Sequence, residues 1–126
     1  MDHESITRDW QQHKVDKDWG YEVWLANTSL YCGKKLYIND GCGSSLHFHV
    51  DKTETILVAS GELTLILIDQ AVRTVHYLGE GDTILITPGL THQLIAEAGD
   101  VVLYEFSTEH FDADSYRIQR FNNPKS

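Results

Sequence analysis

A chain of 126 residues with 19 acidic against 10 basic side chains, a formal charge of -9, fits one domain that can bury a core without covalent staples. Such a charge argues against nucleic acid or an anionic membrane as partner, since both reward a basic surface, and it leaves small molecules as the natural ligands. Cys32 and Cys42 form no Cys-X-X-Cys pair, no apolar run approaches the roughly 20 residues that span a bilayer, and the polar start Met1 to Ser5 lacks the apolar segment of a secretion signal, so a reduced, soluble, cytoplasmic protein is expected.

Residues 1–18 are polar, have Trp10 as their only large aromatic, and show neither a helical nor a strand period; they read as an arm or short helix that must dock on the rest. Residues 19–25 alternate well enough for a strand, and Asn27-Thr28-Ser29 turns the chain into a second one over 30–39. After the Asp40-Gly41 turn, short strands are predicted at 45–49, 55–59, 63–69, 72–78, 83–87, 93–97 and 101–106. Many short strands separated by Gly, Pro and Asp turns mean an all-β sandwich or barrel. The strand Leu63 to Ile68 is apolar on both faces, so it needs cover on both sides, from a pairing arm or a second subunit. Together with the unplaced arm around Trp10 it predicts a homodimer, the commonest soluble assembly. Residues 107–126 return to charge, lose alternation and read as a solvated tail.

Chemistry concentrates between Gly41 and Gly61. His47 and His49 are separated only by Phe48, so on a strand they project from the same face. Glu54 follows a polar turn and opens the returning strand of a hairpin, which sets a carboxylate opposite the two imidazoles. His92, just after the turn Thr87-Pro88-Gly89, is a fourth candidate. Three imidazoles and one carboxylate suit one divalent transition metal, namely Mn, Fe, Co, Ni or Zn. The remaining histidines, His3, His13, His76 and His110, lack spacing to this set and read as surface, and Lys52 reads as solvated.

The spacing Gly41, His47-X-His49, Glu54, Gly61 resembles the first signature of the cupin superfamily at every position. Gly81 to His92 resembles the second signature, with Pro88 one place late and Ala96 in place of the usual closing Asn. The resemblance implies a double-stranded β-helix, or jelly-roll barrel, spanning 1–126, with His47, His49, Glu54 and His92 as metal ligands inside its mouth. More narrowly, Lys17-Asp18-Trp19-Gly20, Lys34 and the segment Asp112 to Ile118 resemble elements of the cupin domain of type II phosphomannose isomerase and GDP-mannose pyrophosphorylase. That likeness implies a sugar or sugar-phosphate substrate.

Lys34 shares a strand face with Leu36 and Ile38, so it would reach the barrel mouth, where it either holds a phosphate or snorkels to solvent. Tyr104 and Arg117 are further candidate pocket residues. The expected function is a metal-dependent sugar-phosphate isomerase, in which the metal polarises substrate oxygens and a base moves a proton between adjacent carbons. No separate base stands at a telling spacing; Glu54 could itself shuttle the proton. An Fe(II) dioxygenase and a non-catalytic sugar-binding or regulatory cupin are the alternatives.

Overall fold

The computed structural model describes residues 3–124, so the first two residues of the expected arm and the last two of the expected tail lie outside it. Eleven strands form two antiparallel sheets: β1 Lys14–Lys17, β2 Gly20–Asn27, β3 Cys32–Ile38, β4 Leu46–Phe48, β5 Glu54–Ser60, β6 Leu63–Asp69, β7 Val72–Leu78, β8 Thr83–Ile86, β9 Thr91–Ile95, β10 Val101–Ser107 and β11 Tyr116–Gln119. One sheet runs β1-β2-β3-β10-β5-β8 and the other β11-β4-β9-β6-β7, the arrangement of a jelly-roll barrel. The expected all-β jelly roll is therefore present. Among the described residues no helix is long and apolar enough to cross a membrane.

Burial alternates with period two along β3, β5 and β10, as one solvated and one core-facing side require. Inward residues change character along each strand: Lys34 gives way to Leu36 and Ile38, Glu54 to Ile56 and Val58, and Glu105 to Leu103 and Val101. The antiparallel register aligns these gradients, pairing Glu105 with Lys34 and Leu103 with Leu36. One end of the barrel is consequently plugged by aliphatic side chains, joined by Leu63, Leu65 and Leu94. The other end is lined by ionisable ones. Each fully buried Leu, Ile or Val of the plug contributes about 1.5–3 kcal/mol.

Two close approaches depend on glycine. A side chain at Gly20 or at Gly61 would run into the backbone carbonyl of Tyr37 or Asp100, and both residues have positive φ.

Both ends of the chain depart from expectation. The arm forms a 3-10 turn at Trp10–His13 and then β1, an edge strand paired with β2. Trp10 docks on Tyr21, which stacks on Tyr37. The tail is not solvated throughout: it forms a 3-10 turn at Asp112–Asp114 and then β11, which pairs with β4. The outward side of β6 is covered by the same chain, since Ile66 packs with Leu46 and Ile95, and Phe121 lies against them. The β6 face that predicted a homodimer is thus covered within one chain, whereas Trp10 stays 47% exposed.

Candidate metal centre

β4 and β9 pair at a single register position, His47 opposite His92. His49 follows at the end of β4, and Glu54 opens β5 across the barrel interior. The ligating atoms of His47, His49 and His92 lie within 4.8 Å of one another, so these three form a group that could hold a metal ion.

Backbone carbonyls decide which nitrogen each imidazole offers. His47 Nδ1 lies 2.7 Å from the Ser45 carbonyl, His49 Nδ1 3.0 Å from that of Asp114, and His92 Nδ1 2.9 Å from that of Leu90. A carbonyl only accepts, so each Nδ1 carries the proton and each Nε2 keeps its lone pair for the shared point. Outer-shell bonds of this kind orient metal-ligating histidines. Burial holds His47 far below its usual range, at about 3, and the neighbouring His92 works in the same direction. His49 is also lowered, chiefly by burial. Neutral imidazoles are the form a metal needs.

Glu54 Oε1 stands 3.1 Å from His92 Nε2. With Nδ1 already protonated, that contact calls for either a second proton or a cation beside the pair. Glu54 Oε2 lies 3.2 Å from Lys52 Nζ, a charge contact without hydrogen-bonding geometry, which leaves Oε2 a buried oxygen with no hydrogen-bond donor among the described residues. A buried carboxylate oxygen without a hydrogen bond, beside three convergent imidazole lone pairs, fits a divalent cation. Burial alone would raise the Glu54 carboxyl, but the contact with His92 and the Lys52 charge hold it well below the usual carboxylate range.

Lys52, expected in solvent, is 3% exposed. Its ammonium touches Glu105 Oε2 and lies 3.1 Å from His110 Nδ1, whose Nε2 donates to Asp112 at 2.9 Å. Burial pulls the Lys52 ammonium down, yet Glu105 and Glu54 outweigh it and the pKa is raised. Burial, reinforced by Glu54, pushes the Glu105 carboxyl up. His110, expected on the surface, lines the same cavity, and its pKa is lowered by burial first and then by Lys34 and Lys52.

The cavity above these groups has a volume of about 490 Å³, enough for a small metabolite. Lys34 lines it as expected but does not stand free: its ammonium is 3.8 Å from Glu22 and sits 4.2 Å over the Trp24 ring. Arg117 also lines it, on β11 directly opposite His47. Tyr104 does not. It alternates with the buried Leu103 and Glu105, so it faces outward beside its register partner Leu57.

Sequence reasoning missed Lys52, Glu105, His110 and Asp114. Lys52 and Glu105 sit on inward positions by period two from Glu54 and Leu103, which is the sequence signal for both. Asp114 gave no such signal. Its carboxylate accepts hydrogen bonds from the backbone N–H groups of Val50, Asp51 and Lys52 at 2.9–3.2 Å, so the tail ties down the loop between His49 and Glu54.

The cupin domain family matches residues 36–107, more than half of the chain. Among solved structures, the capsular polysaccharide assembling protein CapF from Staphylococcus aureus is 21% identical, with a TM-score of 0.75 over 84% of this chain and 34% of its own. Oxalate decarboxylase from Bacillus subtilis is 16% identical, with a TM-score of 0.77 over 93% of this chain and 34% of its own. At those identities the likeness shows the fold, and the chain spans about a third of the length of both. No curated protein matches the sequence.

Proposed function

The chain belongs to the cupin domain family, and from that premise we propose that it is a metal-dependent sugar or sugar-phosphate isomerase with His47, His49, His92 and Glu54 as ligands. The observation that carries this reading is the set of three imidazoles whose Nδ1 atoms are all tied to carbonyls, beside a buried carboxylate one of whose oxygens meets a lysine but accepts no hydrogen bond. A divalent ion bound there would supply Lewis acidity toward the carbonyl and hydroxyl oxygens of a sugar. Glu54 or Glu105 would carry a proton between adjacent carbons, since they are the carboxylates at the inner end of the cavity. Lys52 holds both carboxylates in place, and the aliphatic plug beneath them keeps bulk water from the far side. The fold likeness to a capsular polysaccharide assembling protein is compatible with carbohydrate chemistry.

The test is elemental analysis of protein purified without added metal, followed by turnover of mannose 6-phosphate, fructose 6-phosphate and their unphosphorylated forms on the same sample. Stoichiometric metal with interconversion of the phosphates supports the reading. Oxygen consumption with iron bound, and no isomerisation, would replace it by the dioxygenase alternative. A homodimer belongs to the proposal through a different surface from the one the sequence suggested. Leu85 and Phe106, both more than half exposed, lie in register through Thr55 on the outer face of the six-stranded sheet, beside Leu57 and Tyr104. A monomer mass by light scattering at micromolar concentration would remove it.

A further inference from the structure

The cavity is lined by five cations, and they divide into two kinds. The three lysines are each held by a carboxylate: Lys17 at 3.7 Å and Lys34 at 3.8 Å from Glu22, and Lys52 against Glu105. Arg117 and Arg120 have no hydrogen bond or ion pair to any described residue. In a regular strand, residues three apart face opposite sides, so only one of these two arginines should face the cavity. The pairing of β11 with β4 slips between Arg117 and Gln119: Arg117 stands opposite His47, and Gln119 opposite Leu46. That bulge at Ile118 inserts one residue and brings Arg117 and Arg120 to the same side.

We propose that Arg117 and Arg120 form a clamp for the phosphoryl group of the substrate at the mouth of the metal cavity, and that Lys34 does not hold it. The proposal rests on the cavity being the substrate site. A guanidinium offers a planar fork of donors that matches a phosphate, and two unpaired ones on one wall need no carboxylate to be displaced before an anion binds. Lys34 would first have to leave Glu22 and the Trp24 face. With a formal charge of -9 the molecule as a whole repels such a ligand, so these two free charges must supply the attraction locally. Arg117 opposite a metal ligand would place the phosphoryl group within one sugar's length of the metal.

The experiment uses the full chain stripped of metal, titrated calorimetrically with inorganic phosphate at low salt, so that direct phosphate–metal contact is removed. Wild type is expected to bind, with affinity falling as salt is added. Arg117→Gln and Arg120→Gln should each weaken it about tenfold, and the double variant should abolish it. Lys34→Met should leave it unchanged; should that variant fail to fold by circular dichroism, Lys17→Gln, at a more exposed paired lysine, serves in its place. Phosphate binding that survives in the double variant, is lost with the lysine variant, or is weaker than binding of succinate would overturn the clamp. Cobalt(II) uptake, measured separately, should stay stoichiometric in the double variant. Failure of cobalt uptake in wild type with phosphate binding intact would sink the metal reading and leave the clamp standing.

Discussion

Asp114→Ala tests whether the tail assembles the metal centre or merely lies against it. The substitution strips the acceptor from three backbone N–H groups of the loop that links His49 to Glu54. Val50 and Asp51 are exposed, so water replaces the carboxylate there at little cost. Lys52 is 3% exposed, so its N–H is left without a partner, which costs about 1–3 kcal/mol. A melting temperature roughly 5–12 °C lower is expected for a chain of this size. Metal affinity should fall further than stability alone explains, by about 10- to 100-fold, because the Asp114 backbone carbonyl fixes the His49 ring and is itself held in place by the carboxylate that is lost. Cobalt(II) titration of wild type, Asp114→Ala and Asp114→Asn would read this, with melting followed in the metal-free state. Asn keeps one acceptor oxygen and should recover part of both losses. Equal cobalt affinity in all three proteins, whatever their melting temperatures, would refute the reasoning.

Replacing His47 and His49 together by Ala should abolish stoichiometric metal uptake while circular dichroism keeps its β signal; loss of the fold would mean that the imidazoles serve structure rather than binding. Metal-free protein should lose stability as pH falls from 6.5 toward 3. The folded state holds His47 neutral at about 3 against 6.5 when unfolded, so the unfolded chain binds more protons across that window, at about 1.4 kcal/mol per pH unit for one group. His49 is shifted in the same direction and adds to the slope, so a melting temperature constant between pH 7 and 5 would contradict both. Lys52→Met leaves two buried carboxylates without their cation and should cost about 3–5 kcal/mol by chemical denaturation, part of it recovered on adding Glu105→Gln.

How much of this was legible in the sequence depends on whether the signal was local. The strands from β2 to β10 carry period-two patterns and turn residues of their own, and their existence and order were readable, with β9 displaced to Thr91–Ile95 because the pairing of His92 with His47 and Leu67 starts it earlier than its apolar run does. The histidine positions were readable for the same reason: His-X-His fixes a shared face whatever the rest of the fold. Strands β1 and β11 were not readable, because every residue in both is exposed and no burial pattern marks them. They exist because an edge strand already in place offers them hydrogen bonds. Lys52 was misread because the polar turn around it looks solvated; what buries it is Glu105, 53 positions away, together with His110. Parity places Lys52 on the inward side, but the partner that buries its charge is too distant in sequence to be read from the turn itself.

Those same long-range charges couple metal binding to anion binding. Without metal, the buried inner end holds two carboxylates, Glu54 and Glu105, against the single ammonium of Lys52 and three imidazoles of which His47 and His49 are kept neutral by burial. Carboxylates outnumber the ammonium there, so the inner end attracts a cation and weakens, without abolishing, the arginines' hold on a phosphate. A divalent ion reverses the sign of that excess, and the free arginines at the mouth then face an inner end that no longer opposes an anion. Metal should therefore tighten phosphate binding beyond what the two arginines achieve in the metal-free protein. Lys52 is what keeps the excess to a single charge; without it, Glu54 and Glu105 would repel each other in a dry interior, and one would take up a proton, weakening the attraction for the cation. On this argument Lys52→Met, in whatever fraction remains folded, binds cobalt(II) less tightly although it has lost a positive charge beside the site. A tighter-binding variant, the outcome simple charge removal predicts, would show that the lysine opposes the metal instead of preparing its place.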